Sequence, residues 1–93
     1  VYMKNPNEIY KKAVEKYGED TRIIILFEEF AELQKELTKY LRGSGDTIKI
    51  AEEIADIEIM LNQVKYIFSI DEYVEKITNS KLIRLQQRIE DQE

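Results

Sequence analysis

Apolar residues recur along this chain at helical spacing, in blocks separated by turn-forming residues. Between 21 and 42 they include a stripe at 23, 26, 27, 30, 33, 37, 40 and 41; between 47 and 68 they include one at 50, 51, 54, 57, 61, 64, 67 and 68. Both series follow the period of an amphipathic helix, in which residues three and four apart share a face. Asn5-Pro6-Asn7-Glu8 reads as an N-cap, a proline at the first helical position and an acidic first turn, and Gly18 reads as a stop. The spacing therefore predicts a first helix over 6–17. Asp20 or Thr21 is expected to cap a second helix over 21–42, which ends against Gly43 with Lys39 and Arg42 in its last turn. Asp46 is placed to cap a third over 47–68, and Ser69-Ile70-Asp71-Glu72 has the form of a capping box opening a fourth over 70–90. The expected fold is all-α, a four-helix bundle in which residues 1–93 form one domain. The run Ile23-Ile24-Ile25-Leu26-Phe27 is wider than one stripe and predicts cover from several sides, a partner subunit included.

Composition narrows this picture. With 43% hydrophobic and 35% charged residues, three glycines and one proline, the chain carries enough apolar surface for a core and too few turn formers for a sandwich. A domain of this size buries only about 60 to 68% of its unfolded surface, which favours a homodimer or homotetramer. The net charge of −5 argues against a nucleic-acid or anionic-membrane surface, because counterion release needs clustered Lys and Arg. No apolar run approaches a membrane span, and the N-terminal residues lack the apolar segment of a signal peptide, so a soluble, cytoplasmic chain is expected. Cys and His are both absent, which removes disulfides, thiol nucleophiles, Cys/His zinc sites and the Glu-x-x-His di-iron pattern. Any metal must be held by oxygen.

Two predicted helices each carry acids three residues apart, Glu29 with Glu32 and Glu53 with Asp56. Residues at that spacing lie about one turn apart and roughly 60° around the helix, so each pair aims at one neighbour. If the helices fold back as an antiparallel hairpin, the pairings 29–56 and 32–53 belong to one register, and the acids form a four-carboxylate cage. By axial rise alone the 32–53 pairing is out of level by about 5 Å, which a crossing angle or staggered loop must absorb. Any acidic helical chain shows some Glu-x-x-Glu on a solvated face, but such a face offers cations three or four residues away. Glu29 has Ile25, Leu26, Glu32 and Leu33 there; Asp56 has Glu52, Glu53, Ile59 and Met60. Glu32 and Glu53 do have such cations, Lys35 and Lys49. Like charges about 5 Å apart repel by roughly 3 kcal/mol at an effective dielectric near 20, and a hard cation such as Mg²⁺ or Mn²⁺ compensates them.

Glu28-Glu29-Phe30-Ala31-Glu32, twenty intervening residues, then Glu53-Ile54-Ala55-Asp56 resembles the Glu-Glu-x-x-Glu and Glu-x-x-Asp signature of the all-α nucleoside triphosphate pyrophosphohydrolases of the MazG type. Tyr17-Gly18 and Asn79-Ser80-Lys81-Leu82-Ile83-Arg84 are also similar to phage and bacterial members. The resemblance covers most of the chain and implies an oligomeric four-helix core holding Mg²⁺ through Glu29, Glu32, Glu53 and Asp56. It implies cleavage of an NTP or dNTP to the monophosphate and pyrophosphate by metal-activated water. Glu28 lies about 100° around the helix from Glu29; it orients water, binds a second ion or faces solvent.

A triphosphate calls for cations from another element. Lys81, Arg84 and Arg88 share one stripe of the fourth predicted helix and suit phosphate contact, with a solvated stripe balancing Glu75, Glu90 and Asp91 as the plain alternative. The resemblance favours Lys81 and Arg84, with Asn79 as a polar contact. Tyr10, Tyr17, Phe27 and Met60 are candidates for base contact or for core packing. No Trp or His stands in the chain, whereas some relatives place them around the nucleobase. Two rival functions fit the same residues: a non-catalytic helical interaction module, with the Ile-rich run as its seam, and a nucleotide sensor that binds without hydrolysis.

Overall fold

A computed structural model describes residues 5–91; the N-terminal reading above falls partly on residues 1–4, which lie outside them. The described residues form helices and connecting turns without strands: α1 (Pro6–Tyr17), α2 (Glu19–Leu41), α3 (Thr47–Phe68) and α4 (Asp71–Asp91). The predicted helices are present, and their ends correct the expectation in two places.

The helix α2 begins at Glu19, so Asp20 and Thr21 lie inside its first turn instead of capping it. Gly18 makes the junction. Its N–H donates to the Val14 carbonyl at 2.9 Å, closing α1, and its carbonyl accepts from Arg22 N–H at 3.2 Å, opening α2. Its backbone, φ 89° and ψ 152°, occupies a region that residues with a Cβ essentially avoid. Glu19 and Asp20 then lie in the first turn, where the helix dipole favours negative charge.

At the far end of α2, Gly43 N–H donates to the Tyr40 carbonyl and Ser44 N–H to the Lys39 carbonyl, each at 3.0 Å, the paired bonds of a Schellman closure. Asp46 accepts from Ile48 N–H at 2.9 Å and Lys49 N–H at 3.4 Å, capping α3 as expected. Ser69 departs from its expected role. It lies in the left-handed region, φ 54° and ψ 46°, and its N–H donates to the Tyr66 carbonyl while Ile70 N–H donates to that of Lys65. Ser69 thus terminates α3, and the Ile70 carbonyl accepts from Val74 N–H to start α4. A capping box does not form, because a left-handed backbone at Ser69 satisfies the orphan carbonyls of α3 instead.

The core is small. Leu26, Ile57 and Met60 are buried together, with Ile25, Leu33 and Val64 packed around them, and Val14 is the buried residue of α1. Asn62 Nδ2 donates to Tyr10 Oη at 3.1 Å, tying α1 to α3. Several residues of the expected stripes, among them Phe27, Phe30, Leu37, Ile54 and Phe68, are exposed. The reason is topological: α1 and the α2–α3 hairpin pack together, whereas α4 touches only α3 and buries no residue. The radius of gyration, 16.6 Å, exceeds the roughly 12 Å of a compact chain of this length. No described helix is long and apolar enough to cross a membrane.

Candidate functional site

Packing of α2 on α3 converges acids. Leu26, one turn before Glu29, and Ile57, next to Asp56, are both buried in the hairpin seam, which draws the neighbouring carboxylates together. Glu29 from α2 meets Glu53 and Asp56 from α3, and one carboxylate oxygen from each lies within 4.8 Å of the others. Glu29 and Glu53 are half-buried; Asp56 is exposed. Burial raises the Glu29 pKa above its ordinary value, and the charges of Asp56 and then Glu53 raise it further. Both effects disfavour the ionised form. No described Lys or Arg forms an ion pair with any of the three; the ion pair among the described residues joins Lys39 to Glu36 at 3.2 Å.

The fourth expected member, Glu32, is exposed and stands outside this cluster. Glu53 instead joins Glu29 and Asp56. Glu28 is exposed beside Glu29. Lys81 and Arg84 are exposed on α4, which makes no contact with α2, so one chain does not wrap these cations around the acids from α2. Asn79 lines a groove of about 450 Å³ with Lys65, Glu75 and Thr78.

Of the base-contact candidates, Met60 packs in the core with Leu26 and Ile57, a consequence of its position one turn beyond Ile57 on the buried face. Tyr17 is half exposed and its ring is flanked by the Lys16 ammonium at 5.4 Å and the Arg22 guanidinium at 4.6 Å, a cation–π arrangement. Phe27 is 62% exposed. A cleft of about 630 Å³ is lined by Pro6, Tyr10, Lys11, Asn62, Tyr66 and Asp71. It contains none of the three clustered acids.

Two buried polar residues escape a reading by residue type. Gln63 is 3% exposed and leaves its Oε1 without a partner; its spacing from Met60 placed it in phase with the core. Glu36 is buried and pairs with Lys39, a link that the i,i+3 spacing allows.

The acids are therefore a three-carboxylate, oxygen-only group at the α2–α3 seam, able to hold a hard divalent cation and open on the Asp56 side. Comparison with protein-family models, with curated proteins and with solved structures finds no significant match to this chain.

Proposed function

We propose that this protein is a Mg²⁺-dependent nucleoside triphosphate pyrophosphohydrolase that works as an oligomer and cleaves an NTP or dNTP to the monophosphate and pyrophosphate, a nucleotide-pool housecleaning reaction. One observation carries the reading: Glu29, Glu53 and Asp56 converge from two helices to within 4.8 Å without a basic partner. The resemblance of Glu28-Glu29-x-x-Glu32 and Glu53-x-x-Asp56 to the MazG-type signature supplies the reaction class.

The donor set fits the ion. Three carboxylates suit a hard cation that accepts only oxygen, and the Glu29 pKa is raised by burial first and then by the neighbouring charges of Asp56 and Glu53. Glu29, Glu53 and Asp56 would hold Mg²⁺ or Mn²⁺; when bound, the ion neutralises phosphate charge and acidifies water. Glu32, one turn from Glu29, extends the acidic face toward the substrate. Glu28 accepts the proton as water attacks phosphorus, one P–O bond of the α,β-anhydride breaks, and the pair of electrons leaves on the departing phosphate oxygen. Lys81 and Arg84, with Asn79, contact the phosphates, and Tyr17 and Phe27 offer aromatic faces for the base.

The test is a nucleotide panel assayed with Mg²⁺. Pyrophosphate release, lost in Glu29→Gln and Asp56→Asn with helicity intact, is the expected result; unchanged turnover in both variants ends the proposal. The extensive exposed apolar surface of α2 and α4 favours a second reading, a non-catalytic interaction module. Its signature is the absence of any thermal shift with Mg²⁺ and nucleotide. Tight nucleotide binding without product would identify a sensor.

A further inference from the structure

The chain exposes 7799 Å², whereas a compact monomer of 11.1 kDa exposes about 5,700 Å². The excess, about 2,000 Å² per chain, has the scale of the surface that an obligate dimer removes from water, roughly 2,000 to 5,000 Å² in total. Two places account for much of it. On the α2–α3 hairpin, Phe27, Phe30 and Leu37 of α2 and Ile54, Leu61 and Phe68 of α3 are all exposed. At about 100° per residue, each set lies on one flank of its helix, and in an antiparallel pair those flanks turn to the same side. The Tyr10 to Asn62 hydrogen bond seats α1 about 80 to 120° around α3 from these residues, and all six remain exposed with α1 in place.

The second place is α4. Ile77, Leu82, Leu85 and Ile89 are exposed and fall within a sector of about 140° of the helix. Isolated helices with such a stripe owe their stability to what they pack against, yet α4 touches only α3 of its own chain. Its charge complements the hairpin. Residues 80–91 contain Lys81, Arg84 and Arg88 against Glu90 and Asp91, a net charge of +1, while residues 19–68 contain 11 acids against 6 cations. Two hairpin faces laid on each other would oppose like charge; α4 laid on a hairpin face would not.

We infer that the C-terminal half of α4 is a docking arm that seats its apolar stripe on the open α2–α3 face of a second copy, with a reciprocal exchange about a two-fold axis. Residues 80–91 span about 18 Å and a hairpin helix of 22 residues about 33 Å, so one arm fits along one face. The arm brings its cations to the acidic hairpin, and the interface is closed because each copy uses both surfaces once. This inference is independent of what the acidic cluster binds.

The full chain at micromolar concentration should sediment with the mass of two copies or an even multiple. A benzophenone amino acid at Leu85, in a mixture of heavy- and light-isotope chains, should cross-link to residues 19–68 of the other copy. Leu82→Glu, exposed in the protomer, should halve the mass with helicity retained. A single-copy mass for the unmodified chain overturns the inference. So do cross-links confined to the probe's own chain or to α4 of the other copy.

Discussion

Glu29 on α2 and Asp56 on α3 bring carboxylate oxygens to within 4.8 Å of each other, and neither has an ion-pair partner among the described residues. The strain of this contact falls on Glu29, whose pKa is raised first by burial and then by Asp56 and Glu53. When protonated, Glu29 also gains hydrogen bonds to Glu53 and Asp56.

The sign of the pH effect follows. A folded-state pKa above the unfolded one means that the native state holds the Glu29 proton more tightly, so this contribution is present below the ordinary glutamate pKa. It is lost as pH rises through the raised value. Metal-free protein should therefore melt lower near neutral pH than at mildly acidic pH on this account, and Glu29→Gln should raise the neutral-pH melting temperature. Saturating Mg²⁺ should restore stability to the parent chain and leave the variant unmoved. Thermal melts with and without chelator measure both.

The hairpin acids were legible in the sequence because Glu29 and Asp56 have apolar residues or acids, and no base, one turn away. The exclusion of Glu32 was not, since it depends on the crossing and stagger of two helices, which periodicity does not encode. Helix extents were legible from caps and stripes. Ser69 was misread because a serine can cap a helix or adopt the left-handed turn that ends one, and the choice rests on the Lys65 and Tyr66 carbonyls it must satisfy. Met60 was ambiguous because the face of α3 near Asp56 is shared by core and site.

The turn between α2 and α3 sets that crossing. A Cβ built on Gly45 would stand 2.5 Å from Tyr40 Cα and 2.6 Å from its Cβ, and backbone cannot step aside as a flexible side chain can. Gly45→Ala should cost about 1 to 3 kcal/mol by overpacking and loosen the register of the acids. Urea unfolding gives the loss, and a weakened Mg²⁺-induced thermal shift reports the register.

Met60 separates packing from chemistry. Met60→Ala should destabilise by about 2 to 5 kcal/mol through the cavity it leaves, while the folded protein keeps its KM for nucleotide. Chemical denaturation and steady-state kinetics on the same sample check the two halves.

The cations of α4 should act on substrate binding. Lys81→Ala and Arg84→Ala are expected to raise KM for the nucleotide, each by about tenfold for roughly 1.4 kcal/mol of lost phosphate contact, with helicity retained, since both side chains are exposed on α4. Initial rates across a substrate series, beside circular dichroism, decide this.

The central claim is that Glu29, Glu53 and Asp56 form one divalent-cation site. Titration of metal-free protein with Mn²⁺, followed by the loss of the free-ion paramagnetic resonance signal, tests it directly in the parent chain, Asp56→Asn and Glu32→Gln. The account predicts saturable binding that Asp56→Asn abolishes and Glu32→Gln retains, with helicity equal in all three. Equal Mn²⁺ uptake by the parent and Asp56→Asn would contradict it.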